Sequence, residues 1–229
     1  MSSSNNKTSK GRPQPTVRAA EIVREYGPFA DATQVAGVTY DGQRVWAATG
    51  ARLVAFDPAS GEITRTLDTA CDAGTAFDGK YLYQIAESRI DKIDPATGKV
   101  LASIPSPGHG NDSGLTWAEG SLWVGQHRDR KIHQINPETG AVVRTIESNR
   151  FVTGVTWVDG ELWHGTWEAE ESDIRRIDPQ SGAVIERLEM PHGTGVSGLE
   201  SDGADLFYAG GGKSGKVRAV RRPRNSTEH

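Results

Sequence analysis

The sequence has few of the residues that cross-link or anchor a small protein. Only one of its 229 residues, Cys71, is a cysteine, which excludes an internal disulfide framework and any metal site built from several cysteines. No apolar run approaches the ~18–20 residues that a membrane-spanning helix needs. The first 15 residues are rich in serine, asparagine and lysine and do not have the pattern of a secretory signal. These absences predict a cytoplasmic, monomeric protein with no membrane partner.

The charge of the chain is unevenly distributed. The net charge is −4, but residues 1–18 carry +4, residues 213–224 carry +6 and Glu228 carries −1, so that residues 19–212 carry −13. An acidic body repels the phosphates of nucleic acids, and no nucleic-acid partner is expected. We interpret residues 1–18 as a disordered basic tail, residues 19–224 as a single domain, and residues 225–229 as a second tail.

A unit of 37 to 44 residues recurs five times along the chain. Each unit begins with a glycine and has an aromatic residue nine positions later: Gly37 and Trp46, Gly74 and Tyr83, Gly114 and Trp123, Gly154 and Trp163, Gly198 and Phe207. A tight Asp-Gly or Glu-Gly turn lies between the two. Four units continue into an Asp-Pro or Asn-Pro turn that ends in glycine. This pattern predicts four short antiparallel strands, A to D, joined by tight turns.

Four-stranded units of this length in tandem are typical of a β-propeller, and no stretch has a sustained helical period. The fifth unit lacks its last strand, whereas residues 21–26 have the pattern of that strand and precede the first unit. The sequence therefore predicts an all-β, five-bladed β-propeller with four antiparallel strands per blade. We expect the N-terminal strand to close the ring, because closure leaves no open sheet edge.

The D–A and B–C loops of a propeller open on one mouth of its central channel, and such loops carry function on a rigid scaffold. Two of these loops contain a similar His-Gly step before Ser-Gly-Leu, at His109 and His192, and His164 follows the aromatic residue of strand B. Imidazoles suit proton transfer near neutral pH and the binding of divalent metals. We predict His109, His192 and His164 as catalytic residues and His109 and His192 as candidate metal ligands. Apart from this candidate divalent metal ion, the sequence does not identify a cofactor.

The same loops provide candidates for binding a small-molecule ligand in the channel mouth. These are Gln34, Glu87, Asp112, Gln126, His127, Trp167 and Glu168. Trp46, Trp123 and Trp163 are interpreted as packing residues, and Cys71 as a buried, inert thiol. The run Gly210-Gly-Gly-Lys213-Ser214 resembles part of a phosphate loop, but it lies between strands rather than before a helix, so we exclude that role.

The repeat resembles two known propeller families. Residues 114–140, with their Trp-Ala-Glu-Gly-Ser-Leu-Trp stretch, resemble a blade of the streptogramin lyases, and Pro191-His192-Gly193 is similar to a His-Gly element of that family. That family uses a magnesium site of His and Glu to drive an elimination. Thr33-Gln34 before Gly37, and residues 160–182, resemble the five-bladed glutamine cyclotransferases. The position of that family's first-blade glutamate holds Ala47.

These resemblances imply a small-molecule enzyme, lyase-like or cyclotransferase-like, with a His and carboxylate site at one mouth of the channel. Two alternatives stay open. One is a non-catalytic propeller that binds a ligand or metal at the same mouth, and the other is a protein-interaction scaffold, because a fold does not determine a function.

Overall fold

The computed structural model describes residues 14–224, and in that range the chain forms 21 strands and no helix. It begins with β1 (Thr16–Ala19) and β2 (Ile22–Tyr26). Blade 1 contains β3 (Gly37–Tyr40), β4 (Val45–Ala48), β5 (Gly50–Phe56) and β6 (Ile63–Cys71). Blade 2 contains β7 (Thr75–Phe77), β8 (Leu82–Ala86), β9 (Arg89–Ile93) and β10 (Val100–Pro105).

The remaining three blades follow the same order. Blade 3 contains β11 (Asp112–Ala118), β12 (Ser121–Gln126), β13 (Lys131–Ile135) and β14 (Val142–Glu147). Blade 4 contains β15 (Val152–Val158), β16 (Glu161–Thr166), β17 (Asp173–Ile177) and β18 (Val184–Glu189). Blade 5 contains β19 (Leu199–Ser201), β20 (Leu206–Gly210) and β21 (Val217–Arg221). Because residues 14–224 form no helix, that part of the chain has no helical segment able to cross a bilayer.

The N-terminal strand closes the ring, as the sequence predicts. Strand β2 pairs antiparallel with β21, with Ile22 opposite Val220 and Tyr26 opposite Val217. The first strands of the blades contact one another in cyclic order, from β3 through β7, β11 and β15 to β19 and back to β3. The predicted five-bladed, all-β propeller is therefore confirmed.

The segment before the closing strand differs from the prediction. Thr16–Ala19 forms strand β1, which pairs in parallel with β18 at the outer edge of blade 4, so the predicted tail overlaps an ordered strand at residues 16–18. All four residues of β1 are exposed. Parallel pairing at a sheet edge uses backbone groups and leaves no buried side chain to produce a recognisable pattern. Residues 1–13 and the predicted tail 225–229 lie outside the described residues.

The turns form through the residues that repeat in the sequence. In the turn after β5, Oδ1 of Asp57 accepts hydrogen bonds from the backbone N–H groups of Ala59 and Ser60, at 2.6 and 2.8 Å. Gly61 then takes a positive φ of 83°. Such side-chain bonds stabilise a turn without tertiary contacts. The turn therefore needs the same residue types in each unit, and the motif recurs at the same place in the repeat.

Aromatic residues join neighbouring blades. The ring of Tyr83 in blade 2 stacks on Trp117 of blade 3 at 5.5 Å, and Trp123 of blade 3 stacks on Trp157 of blade 4 at 5.0 Å. Trp46, Trp123 and Trp163 are buried, so their predicted packing role is confirmed.

One buried carboxylate lies where the first strands meet around the channel. Glu200 of β19 accepts hydrogen bonds from the hydroxyls of Thr39, Thr116 and Thr156, which belong to blades 1, 3 and 4. Its side chain is therefore a polar link between blade 5 and three others.

Candidate functional site

A cavity of about 400 Å³ opens at the mouth formed by the D–A and B–C loops. It lies where the loops of blades 4, 5 and 1 converge. Its lining includes Gln34 from the β2–β3 loop, Trp167 from the β16–β17 loop, residues 193–197 from the β18–β19 loop and residues 211–214 from the β20–β21 loop. Several loops on a closed ring thus supply one small-molecule-sized space.

The loop that carries Trp167 is held by ion pairs. Glu168 receives hydrogen bonds from Arg130 at 2.8 Å and from Arg150 at 3.2 Å, and Arg150 also donates to the backbone oxygen of Glu168 at 2.9 Å. The two arginines come from blade 3 and from the β14–β15 loop. Glu168, predicted as a ligand-binding residue, therefore anchors the loop that places Trp167 at the cavity.

Ser197, which also lines the cavity, connects two neighbouring segments by hydrogen bonds. Its hydroxyl donates to the backbone oxygen of Val35 and accepts from the backbone N–H of Gly212 at 3.0 Å, while Val35 N–H donates to Gly212 O at 2.9 Å. These bonds fasten blade 5 to blade 1 beside the cavity. Because the hydroxyl is already engaged on both sides, Ser197 has a structural role.

The predicted catalytic histidines lie in three different surroundings. His109 is exposed. The side chain of His192 is 77% exposed, with Nε2 at 4.0 Å from Oε2 of Glu170. His164 is fully buried, with Nε2 at 3.4 Å from the hydroxyl of Ser148 at the end of blade 3. Burial lowers the pKa of His164 to about 4, so this imidazole is neutral at pH 7. His164 is not among the residues that line the 400 Å³ cavity.

The structure does not assemble the three histidines into one site. His192 lines a second cavity of about 230 Å³, together with Arg150, Asp173 and Arg187, and His109 is not part of that lining. Within residues 14–224, no group of three or more His, Cys, Asp or Glu side chains is arranged to hold a metal ion. The metal role of His109 and His192 stays a prediction that this arrangement does not support.

The predicted ligand-binding residues divide into two groups. Gln34 and Trp167 come together at the 400 Å³ cavity. The others are engaged elsewhere, and each has its own surroundings. Glu87 is exposed and forms an ion pair with Arg89. Both Asp112 and Gln126 are buried. His127 packs on Phe151 at 4.7 Å, and Glu168 anchors its loop.

Two cavity residues were missed by the sequence reasoning. Lys213 and Arg218 line the cavity from the β20–β21 hairpin. Lys213 belongs to the glycine-rich run that lies between strands and resembles part of a phosphate loop. Arg218 belongs to the basic segment of residues 213–224. The signal that could have indicated them is the position of this run, which is a B–C loop and therefore opens on the functional mouth.

Cys71 does not belong to the site. Its thiol is buried and donates to the backbone oxygen of Arg52 at 3.0 Å. Burial raises the pKa of Cys71 to about 11, so it is protonated at neutral pH. The predicted buried, unreactive thiol agrees with these surroundings.

Comparison with solved structures finds two proteins with a similar fold. The crystal structure of Myxococcus xanthus glutaminyl cyclase is similar with a TM-score of 0.75 and 18% identity, covering 91% of this chain and 98% of that one. The structure of virginiamycin B lyase from Staphylococcus aureus gives a TM-score of 0.51 and 16% identity, covering 87% of this chain and 70% of that one. No protein-family model and no curated protein sequence matches the chain. At these identities the likeness establishes the propeller fold.

Proposed function

We propose that the chain is an enzyme that acts on a small molecule bound in the 400 Å³ cavity at the channel mouth. The observation that carries this proposal is the convergence of Gln34, Trp167 and the β18–β19 and β20–β21 loops on one space. Its volume falls within the range of small-molecule sites, and it combines an aromatic wall with a few polar groups. The two structural neighbours are named as a cyclase and a lyase, which supports cyclotransferase-like or lyase-like chemistry.

His192 is our candidate for proton transfer. Its loop continues directly into Gly193, which lines the cavity, and its imidazole lies beside the Glu170 carboxylate. An imidazole can both accept and donate a proton through its ring nitrogens, which is the chemistry that general acid–base catalysis needs. Ala47 is fully buried at the position where the cyclotransferase family carries its glutamate, so the proton must be handled by another group.

Turnover assays test this proposal directly. The protein is incubated with a glutaminyl peptide and, separately, with virginiamycin B, and the products are identified by mass spectrometry. We expect turnover of a substrate of one of these two types, and a loss of about tenfold or more for Trp167→Ala and His192→Ala.

The matched control is Trp117→Ala, which removes another half-buried tryptophan that stacks on Tyr83 away from the cavity. It should keep full activity per folded molecule. Binding that depends on Trp167 without any turnover would support the non-catalytic alternative instead. Full activity in Trp167→Ala would place the site elsewhere.

A further inference from the structure

The mouth cavity is lined by cations and by no carboxylate. Lys213 and Arg218 contribute their side chains, and no Asp or Glu is among the residues that line it. This is unusual for a chain whose residues 19–212 carry a net charge of −13. The charge at the cavity is therefore opposite in sign to that of most of the surface.

The positive charge beside the cavity is only partly compensated. Glu25 is shared by two cations, with Oε2 at 2.7 Å from Nζ of Lys216 and Oε1 at 2.8 Å from Nε of Arg218. These hydrogen bonds, first from Lys216 and then from Arg218, lower the pKa of Glu25 below its usual value. Lys213 is exposed and forms no ion pair with any residue between 14 and 224. The single carboxylate of Glu25 therefore balances only one of the three positive charges of Lys213, Lys216 and Arg218.

One nitrogen of the Arg218 guanidinium, Nη1, lacks an acceptor within residues 14–224, whereas its Nε donates to Glu25. Arg218 is 8% exposed, and among the described residues its Nη1 is buried without a hydrogen-bond partner. A buried charged donor with no acceptor is costly. Gly211 packs directly on it, because a side-chain carbon at Gly211 would lie 2.5 Å from Nη1. A bound anion beside Lys213 and Arg218 would add negative charge that Glu25 alone does not supply to this group of cations.

The hairpin between β20 and β21 is not built to hold a phosphate. Four of its backbone N–H groups are already used, since Gly211 donates to Lys216 O, Gly212 to the Ser197 hydroxyl, Ser214 to Gly211 O and Gly215 to Gly212 O, at 2.8 to 3.1 Å. Phosphate loops bind through free backbone N–H groups. Recognition here must come from side chains, as in the binding of a carboxylate by arginine and lysine.

We infer that the cavity binds a small carboxylic acid, with its carboxylate held by Lys213 and Arg218 and its apolar part against Trp167 and Val196. This inference rests on the proposed function and, of its two test substrates, favours the glutaminyl peptide, which carries a carboxylate. Trp167 lines the same cavity and provides a flat apolar surface there. The specificity of the site is therefore a preference for negative charge rather than for a particular ring or chain.

Matched pairs of compounds test the inference. A panel of arylalkyl carboxylic acids, such as 3-phenylpropionate, and the corresponding primary amides is titrated against the protein, and binding is followed by the NMR signal of the Trp167 indole N–H. We expect the acids to bind about tenfold more tightly than the amides. Lys213→Gln should remove most of this preference while leaving amide binding unchanged.

Two further variants separate the possible outcomes. Lys99→Gln, an exposed lysine in the turn between β9 and β10, should bind both series like the unmodified protein. Arg218→Gln should act like Lys213→Gln if its melting temperature shows that it folds. Equal binding of acids and amides would overturn the carboxylate preference while leaving the proposed cavity intact. If neither series shifts the Trp167 signal, the inference also fails, and the turnover assays judge the proposed function independently.

Discussion

Five glycines determine how closely the blades approach the channel axis. A side-chain carbon at Gly37 would lie 2.3 Å from the backbone oxygen of Ala73, and one at Gly74 would lie 2.3 Å from the backbone nitrogen of Leu115. At Gly154 the corresponding distance to the backbone nitrogen of Leu199 is 2.4 Å. In each case the neighbour is backbone of the next blade and cannot move aside. The repeated glycine of the sequence is thus a packing requirement of the ring.

Replacing one of these glycines should therefore destabilise the whole propeller. We expect Gly154→Ala to lower the free energy of unfolding by more than about 3 kcal/mol, because its methyl group meets fixed backbone of blade 5. Gly160→Ala is the matched control: no atom lies within 4 Å of its added carbon, and only its φ of 75° is unfavourable. That variant should lose about 1 kcal/mol. Urea denaturation measures both, and equal losses would contradict the role of Gly154.

At the scale of single elements, β1 and β2 contribute very differently although they are adjacent. The four side chains of β1 are exposed, and its bonds to β18 are backbone bonds at an edge. Strand β2 instead buries Tyr26, whose ring lies 4.7 Å from Phe56 and whose hydroxyl donates to Pro58 O at 2.9 Å. It also covers the edge of β21. The closing strand therefore carries most of the stabilisation.

Truncation separates the two strands. A protein that begins at residue 20 should lose about 1 kcal/mol of stability, since it gives up edge hydrogen bonds and the ion pair between the exposed Arg18 and Glu186. A protein that begins at residue 28 loses β2 and the buried Tyr26, and should lose about 3–5 kcal/mol or fail to fold. Melting temperatures by circular dichroism give the comparison. If both truncated proteins melt like the full chain, the N-terminal strand does not lock the ring.

The elements that repeat could be predicted from the sequence, and those that occur once could not. The Asp57 turn and the strand aromatics are local signals that recur, so five copies define the blades and the fold. Strand β1 has no such copy and no apolar pattern. Two residues that line the candidate cavity, Gln34 and Trp167, are among those predicted from the sequence, whereas Arg218 lies within a regular strand and is not. Which loops meet at a cavity depends on the three-dimensional arrangement of the blades, which one chain's repeat pattern does not encode.

For the molecule as a whole, Glu200 joins blades that are distant in sequence. Its carboxylate is held by Thr39 at 3.1 Å, by Thr116 at 3.4 Å, by Thr156 at 2.5 Å, and by the backbone N–H of Ser201 at 2.9 Å. No cation of residues 14–224 pairs with it. Burial is the main cause that raises the pKa of Glu200 to about 7, against which the threonine hydrogen bonds act.

This carboxylate makes the stability of the ring depend on pH. The ordinary pKa of 4.5 applies in the unfolded chain, and the folded value is about 7. Between these two values the folded protein keeps a proton that the unfolded chain has lost, so the free energy of unfolding falls as pH rises through this window. Above pH 7 the loss is complete, and it amounts to about 3 kcal/mol.

Glu200→Gln removes this titration while keeping a side chain that can bond to the threonines. Relative to the unmodified protein, the variant should gain up to about 3 kcal/mol of stability between pH 5 and pH 8, measured by urea denaturation at both values. His164 changes stability in the opposite direction, because its folded pKa of about 4 lies below the ordinary 6.5 and stability rises with pH between them. Both proteins contain His164, so its effect cancels in their difference. Parallel stability profiles for the two proteins would show that Glu200 is not a buried, proton-binding link at the centre of the ring.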